Sequence, residues 1–185
     1  MHVLMVVAHP RSRSLTHSIT QAFTAGLAAA GHTHELADLY AEGFQPVAGD
    51  DEVAAWERNE VPAEIAQEQA RLSRAQGLAL AYPLWWATPP AILQGWIQRV
   101  LTQGFAFEYG QWPAGRLRHR AQLLVNVGSR DTGLYGRYIE PIVGVLNYCG
   151  IADVRTEVNW GVAPALSEAQ VMGYRETAYA AGTRF

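Results

Sequence analysis

The segment at residues 8–17 (AHPRSRSLTH) carries residue types that bind an anion. It follows a short apolar run and precedes an Ala-rich stretch with helical spacing, so it should lead into the first turn of a helix. Free N–H groups and the positive end of the helix dipole favour an anion there. Further donors and positive charges come from His9, Arg11, Ser12, Arg13, Ser14 and Thr16. A phosphate is the expected guest. In the alternative, Ser12 or Ser14 only caps the helix and the arginines lie in water.

Two adjacent tryptophans characterise a second segment, residues 83–91 (PLWWATPPA). Adjacent side chains point to opposite sides, so we expect one of Trp85 and Trp86 to pack inward and the other to line a crevice. Such a wall suits the flat face of an aromatic ligand. In the alternative, both tryptophans belong to the core beneath the following helix.

A third segment, residues 126–135 (NVGSRDTGLY), combines glycines with small polar residues. Glycines allow backbone donors to approach a ligand closely, although an ordinary surface turn has the same composition. Upstream of it, Phe105, Phe107 and Tyr109 alternate with other residues. They indicate either an aromatic edge over a site or a plain hydrophobic hairpin.

Alternating strand-like and helix-like segments must position these three loops. Strands are predicted at residues 3–8, 34–39, 77–82, 120–127 and 152–160. Helices are predicted at residues 14–30, 64–76, 89–102, 138–149 and 167–181, with a short helix opening at Asp50. This alternation predicts an α/β fold: a doubly wound five-stranded parallel sheet in the order 2-1-3-4-5, with helices on both faces, as a single domain over residues 1–185. Ligands of such sheets bind at the carboxyl ends of the strands, where the three loops lie.

Composition narrows the function classes. The 185 residues are 49% hydrophobic and 17% charged, with a net charge of -3. No basic excess exists to bind nucleic acid, and the single cysteine, Cys149, excludes an intrachain disulfide or a cysteine zinc cluster. We expect no metal site, no membrane span and no signal peptide, and therefore a cytoplasmic protein. The low charge favours a surface covered by a second subunit.

Three blocks of the sequence resemble the NAD(P)H:quinone oxidoreductase family of flavodoxin-like flavoproteins. They are residues 6–19 (VVAHPRSRSLTHSI), 82–109 (YPLWWATPPAILQGWIQRVLTQGFAFEY) and 126–136 (NVGSRDTGLYG). The resemblance implies a flavodoxin-like fold, bound FMN with FAD as the alternative, and NADH or NADPH as electron donor. It also implies two-electron ping-pong reduction of quinone-like acceptors by a homodimer.

The same resemblance assigns site residues. Those expected around the flavin phosphates are His9, Arg13, Ser14, Leu15 and Thr16. Those expected along the flavin ring are Pro83, Leu84, Trp85, Trp86 and Ala87, with Asn126, Val127, Gly128 and Ser129 at its pyrimidine end. Phe107 and Tyr109 would close over the substrate from the neighbouring subunit, and Tyr135 would be catalytic. No histidine follows Tyr135, so Arg137 is the expected substitute for the family's downstream histidine.

Three other functions remain as alternatives. Some small relatives are soluble ancillary subunits of potassium-efflux transporters. A one-electron flavodoxin carrier would be strongly acidic, which a net charge of -3 does not favour. A flavin-free hydrolase-like or structural domain is the third alternative, weakened because Ser129 does not lie in a GxSxG elbow.

Overall fold

Five parallel strands form one sheet in the computed structural model, which describes residues 1–111 and 114–185. The strands are β1 (His2–Val7), β2 (Thr33–Asp38), β3 (Gly77–Leu84), β4 (Arg120–Val127) and β5 (Asp153–Trp160). The helices of the described residues are α1 (Leu15–Ala29), α2 (Asp50–Trp56), α3 (Ala63–Arg74), α4 (Ala91–Val100), α5 (Thr132–Gly136), α6 (Glu140–Tyr148) and α7 (Glu168–Thr183).

The strand order is β2-β1-β3-β4-β5, which confirms the predicted 2-1-3-4-5 topology. Strand and helix ends lie within two residues of the predicted ones, and both ends of β4 coincide with the prediction. The short helix α5 was not predicted, because residues 126–135 were expected to form a loop throughout. Asp131 caps α5 by accepting from Leu134 N at 3.0 Å, and an Asx cap of this kind needs no apolar periodicity.

Each face of the sheet buries its own core because side chains alternate along a strand. On one face, Val3, Met5 and Val7 of β1 pack with α1 and α7. On the other, Leu4 and Val6 pack with α3 and α4, including the fully buried Trp96. β1 and β3 are thus apolar on both faces, as the continuous hydrophobic runs in their sequences predict.

The apolar stripe of α4 and its C-cap lies in the core, because Ile92, Leu93, Trp96, Ile97, Val100 and Leu101 are all buried. Arg99 of the same helix is also buried and fastens α2 beside it. Its guanidinium donates to Glu52 at 2.7 Å and to the carbonyl of Gln45. A buried charge paired in this way holds the chain before α3 against α4.

Candidate functional site

A cavity of about 370 Å³ opens at the carboxyl edge of the sheet, beyond the ends of β1, β3 and β4. This is the switch point at which doubly wound sheets bind ligands. Its walls are His9, Leu15, Thr16, Pro83, Leu84, Trp85, Trp86, Asn126, Gly128 and Val162. We call it the ring cavity. It brings together residues from all three predicted segments.

The Trp85–Thr88 segment forms a tight two-residue turn at the rim of this cavity. Trp85 and Thr88 exchange backbone hydrogen bonds of 2.9 and 3.0 Å. Between them, Trp86 and Ala87 both have positive φ, 49° and 64°, as in a type I′ turn. Such turns usually carry Asn-Gly, so two non-glycine residues store local strain, which is common at ligand sites. Within the described residues, no acceptor contacts the N–H groups of Trp86 and Ala87.

This turn corrects the expectation that one tryptophan packs inward. The side chain of Trp85 is 43% exposed and that of Trp86 is 99% exposed, so neither belongs to the core. Both project from the sheet edge because the left-handed turn redirects the chain away from the strand. Trp85 packs edge-on to His9, with ring centroids 5.6 Å apart. It therefore forms the aromatic wall that the sequence predicts.

Two residues of the ring cavity, Asn126 and Thr16, belong to a row of buried, hydrogen-bonded polar side chains. Asn159 Nδ2 donates to Asn126 Oδ1 at 2.8 Å, and Asn126 Nδ2 donates to Thr16 Oγ1 at 3.0 Å. Thr16 accepts this bond, so its own hydroxyl proton is available to a ligand. These two hydrogen bonds connect β4 and β5 to the first turn of α1.

A second cavity of about 490 Å³ adjoins the first and shares His9, Leu15 and Val162 with it. We call it the anion cavity, because the exposed Arg11 and Arg13 line it at the N-terminus of α1. In the described parts of the chain, no carboxylate lies within ion-pair distance of either guanidinium. Ser14 also lines this cavity and caps α1 by accepting from His17 N at 3.2 Å. Ser14 thus caps the helix, as the alternative prediction has it, and also lines the anion cavity.

His9 lies between the two cavities with a defined tautomer. Its Nδ1 accepts from the backbone N–H of Arg11 at 3.0 Å. Burial lowers the pKa of His9 below its ordinary value, so the ring is neutral at pH 7 and Nε2 carries its proton. His9 therefore presents a hydrogen-bond donor to a ligand.

Comparison with known proteins agrees with this geometry. Residues 1–181 match the family described as having the flavodoxin-like fold. A solved NAD(P)H:quinone oxidoreductase from Methanothermobacter marburgensis is 32% identical, with a TM-score of 0.87 over 99% of this chain and 98% of that one. The chain belongs to the NAD(P)H:quinone oxidoreductase family.

Two curated relatives extend the comparison. One from Haemophilus influenzae, described as an uncharacterized NAD(P)H oxidoreductase, is 32% identical over 85% of this chain and 83% of its own length. The human ribosyldihydronicotinamide dehydrogenase [quinone] is 30% identical over 90% of this chain and 84% of its own length. The protein is accordingly an oxidoreductase enzyme, and its sheet is the flavodoxin-like sheet of this family.

Other residues assigned from the family resemblance lie outside the ring cavity. Val127 is buried, and its carbonyl accepts from Val162 N at 3.0 Å. Ser129 Oγ accepts from Asp131 N at 3.0 Å. Tyr135 lies half-buried on α5, packed edge-on to Tyr138 with ring centroids 5.6 Å apart. It lines neither cavity, and its catalytic role, like that of Arg137, stays a prediction.

Phe107 and Tyr109 line a different cavity of about 360 Å³, beside α2 and the end of α4. Their rings are edge-on, 5.1 Å apart, and Tyr109 is 66% exposed. They do not approach the ring cavity of their own chain. Contact with a substrate would require a second copy, as the family resemblance implies.

Sequence reasoning missed two parts of the site. Val162, after β5, lines both cavities, and Ala163 and Pro164 line the anion cavity. The rule that ligands bind at carboxyl strand ends applies to β5 as well and could have found this segment. The second part is His17, whose Nε2 lies 2.8 Å from Asp38 Oδ2 at the end of β2. Only the fold brings these two residues together.

Across residues 1–111 and 114–185, no group of three or more potential metal-ligating side chains occurs. Within the same ranges, no helix has the length and apolar character needed to cross a bilayer.

Proposed function

We propose that the protein is a flavin-dependent NAD(P)H oxidoreductase that reduces quinones or similar flat acceptors. One observation carries the proposal: the ring cavity, walled by Trp85, adjoins the anion cavity lined by Arg11 and Arg13. A flat aromatic ring joined to a phosphate matches that pair of cavities. The relatives described as NAD(P)H oxidoreductase and quinone dehydrogenase support the reaction class.

The side chains of the site bind and orient rather than attack. Trp85 offers a flat face, and the unpartnered N–H groups of Trp86 and Ala87 offer donors at the rim. His9 Nε2–H and the Thr16 hydroxyl add two donors from the wall of the ring cavity. The chemistry that a bound flavin supplies is two-electron transfer from a reduced nicotinamide nucleotide to an acceptor. The protein fixes ring, donors and phosphate in advance, so no protein nucleophile is needed.

FMN is the flavin that we propose, with its phosphate in the anion cavity. Arg11, Arg13 and Ser14 line that cavity, and the first turn of α1 points free N–H groups at it. FAD is the alternative. Either NADH or NADPH can serve as donor in this proposal. The relatives' descriptions as dehydrogenases or oxidoreductases give no support to the ancillary-subunit alternative.

A homodimer is part of the proposal. Phe107 and Tyr109 line a cavity away from the ring cavity of their own chain. They can cover a bound acceptor only if they come from a second copy. An isologous twofold interface would then build two equivalent sites, each with residues from both chains.

An absorption spectrum of the purified protein tests the cofactor first. We expect a bound-flavin spectrum, release of FMN on denaturation, and bleaching by NADH or NADPH without air. Adding a quinone should restore the absorbance, and steady-state plots at several quinone concentrations should be parallel. A protein that binds neither FMN nor FAD would refute the proposal.

Paired arginine variants test the position of the phosphate. Arg13→Gln should weaken FMN about tenfold or more, because it removes a charge-assisted contact, and should leave riboflavin unchanged. The matched control is Arg74→Gln, since Arg74 lies exposed at the end of α3, at the opposite edge of the sheet. Equal FMN affinity in both variants would place the phosphate elsewhere.

Mixing two impaired variants tests whether one site uses both chains. Trp85→Ala alters the ring cavity of its own chain. In the proposed dimer, Tyr109→Ala alters the side chain that covers the ring cavity of the other chain. In a mixed dimer one site carries both changes and the other carries none, so random exchange should restore about a quarter of wild-type activity. No recovery, or a monomer by light scattering, would contradict the shared site.

A further inference from the structure

A line of three side chains runs from the anion cavity to the end of β2. Ser14 Oγ lies 2.8 Å from His17 Nδ1, and His17 Nε2 lies 2.8 Å from Asp38 Oδ2. The side chains of His17 and Asp38 are only 13% and 17% exposed. Asp38 Oδ1 also accepts from Ala41 N at 3.2 Å, which fixes the carboxylate. We propose that this line couples proton uptake by His17 to binding of a phosphate group in the anion cavity.

Hydrogen-bond chemistry restricts the neutral state of His17. The carboxylate of Asp38 can only accept, so Nε2 must carry a proton. In a neutral ring Nδ1 is then bare and must accept the hydroxyl proton of Ser14. Ser14 Oγ also accepts from His17 N at 3.2 Å. Its single proton is therefore committed to His17, and only an oxygen lone pair remains to face the anion cavity.

Protonation of His17 reverses the direction of this bond. Nδ1–H then donates to Ser14 Oγ, which accepts from both the ring and the backbone of His17. The hydroxyl proton of Ser14 is released and can donate to a phosphate oxygen. The anion cavity thus gains a donor beside Arg11 and Arg13 when His17 gains a proton. By linkage, a bound phosphate favours the protonated ring to the same extent.

Other charged groups around His17 act on the same equilibrium. From β2, the carboxylate of Asp38 faces Nε2 of the ring. From the loop before α1, the His9 ring lies 6.3 Å away, and Arg11 and Arg13 lie on the same loop. These groups are positive or protonatable, and a bound phosphate would offset their charge. The coupling therefore depends on the anion being present.

This inference rests on the proposed function, because it concerns the phosphate of a bound flavin. His17 and Asp38 act through the Ser14 hydroxyl, so both are positioning residues for that phosphate. The affinity for a phosphate-bearing flavin should therefore increase as pH decreases through the range in which histidines titrate. Riboflavin, which has no phosphate, should show no such gain.

Flavin titrations of the full chain test the coupling. Dissociation constants for FMN and riboflavin are measured by fluorescence between about pH 5.5 and 8.5. His17→Asn keeps a hydrogen-bonding group beside Ser14 but does not titrate. His34→Asn is the matched control, since His34 lies exposed on β2 away from both cavities. The ratio of variant to wild-type constants cancels the titration of the FMN phosphate itself.

We expect wild type to bind FMN increasingly better than His17→Asn as pH falls. The dissociation constant of the variant divided by that of wild type should therefore rise, by at most about tenfold per pH unit. For riboflavin this ratio should stay constant, and His34→Asn should follow wild type with both flavins. Two flat ratios would overturn the coupling and leave the proposed function intact. Failure of both flavins to bind would overturn both.

Proton counting gives a second readout that does not depend on His17→Asn folding well. Calorimetric titration with FMN in buffers of different ionisation enthalpy reports the protons taken up. Wild type should take up more protons with FMN than Ser14→Ala does, by up to about one, because that variant lacks the hydroxyl. Equal uptake by both proteins would refute the relay.

Discussion

Asn126 Nδ2 donates to Thr16 Oγ1 at 3.0 Å, and this contact joins the carboxyl end of β4 to the first turn of α1. Both residues are buried, and both line the ring cavity. The contact thus stabilises the sheet edge and also fixes the direction of the Thr16 hydroxyl. Structure and binding depend on the same hydrogen bond.

Replacing Asn126 with alanine should therefore destabilise the fold. Thr16 and Asn159 would each lose a buried partner, at a cost of about 1–3 kcal/mol. Urea unfolding of the flavin-free protein measures this without the added stability of a bound ligand. Asn147→Ala, at an exposed position on α6, should change the free energy of unfolding by no more than about 0.5 kcal/mol. Equal effects of the two changes would show that the buried hydrogen bonds of Asn126 do not stabilise the fold.

At the turn formed by Trp86 and Ala87, a substitution should raise the free energy of unfolding rather than lower it. Ala87 has φ of 64°, a conformation that costs an L-residue roughly 1–2 kcal/mol. Ala87→Gly should leave the free energy of unfolding unchanged or raise it by up to about 1 kcal/mol, because relief of strain exceeds the entropy cost of glycine. Ala25→Gly, at an exposed position within α1, should lower it by about 0.5–1 kcal/mol. Denaturation midpoints of the two variants decide the sign, and a loss at Ala87 as large as that at Ala25 would count against strain.

Sequence reasoning succeeded where the physics is local or topological. The strands β1, β3 and β4 are continuous apolar runs, and alternation with helices predicts their parallel order. That order places residues 8–14, 85–90 and 128–131 at one edge, so the ring cavity could be anticipated. The aromatic wall of Trp85 follows from its position just after β3.

Other features depend on contacts that the sequence does not display. Nothing in the residue types of Trp86 and Ala87 indicates a left-handed turn, since neither is glycine. The bond between His17 and Asp38 spans 21 positions and needs β2 beside β1. The separation of Phe107 from the ring cavity is likewise set by packing beside α2. Such features appear only once distant elements are assembled.

His9 predicts how stability changes with pH. Burial lowers its pKa in the folded state, so below about pH 6.5 the unfolded chain binds more protons than the folded one. The free energy of unfolding should therefore fall as pH decreases from about 6.5 toward the folded pKa of His9. His9→Asn keeps an acceptor for Arg11 N but cannot be protonated, so its stability should fall less on the acid side. Urea unfolding of the flavin-free protein at about pH 7.5 and 5.5, with His34→Asn as control, measures the difference. Identical acid-side losses in wild type and His9→Asn would show that His9 does not contribute.

Close packing of α1 on α7 gives the last prediction. A Cβ added at Gly182 would overlap the carbonyl oxygen of Phe23, and one at Gly26 would overlap that of Tyr179. Gly182→Ala must therefore push the two helices apart, which should cost about 1–3 kcal/mol through overpacking. On the same helix, a Cβ at Gly173 meets nothing within 4 Å. Gly173→Ala should instead stabilise the protein by about 0.5–1 kcal/mol, because alanine loses less backbone entropy in a helix.

The pair separates packing from helix propensity, since both changes add one methyl group to α7. Displacement of α7 should also reach the anion cavity, because Val171 of that helix lines it. We therefore expect weaker FMN binding in Gly182→Ala than in Gly173→Ala, measured by fluorescence titration alongside urea unfolding. If Gly182→Ala were as stable as Gly173→Ala, the helix contact would be looser than the structure describes. If it were destabilised but bound FMN normally, the anion cavity would not depend on the position of α7.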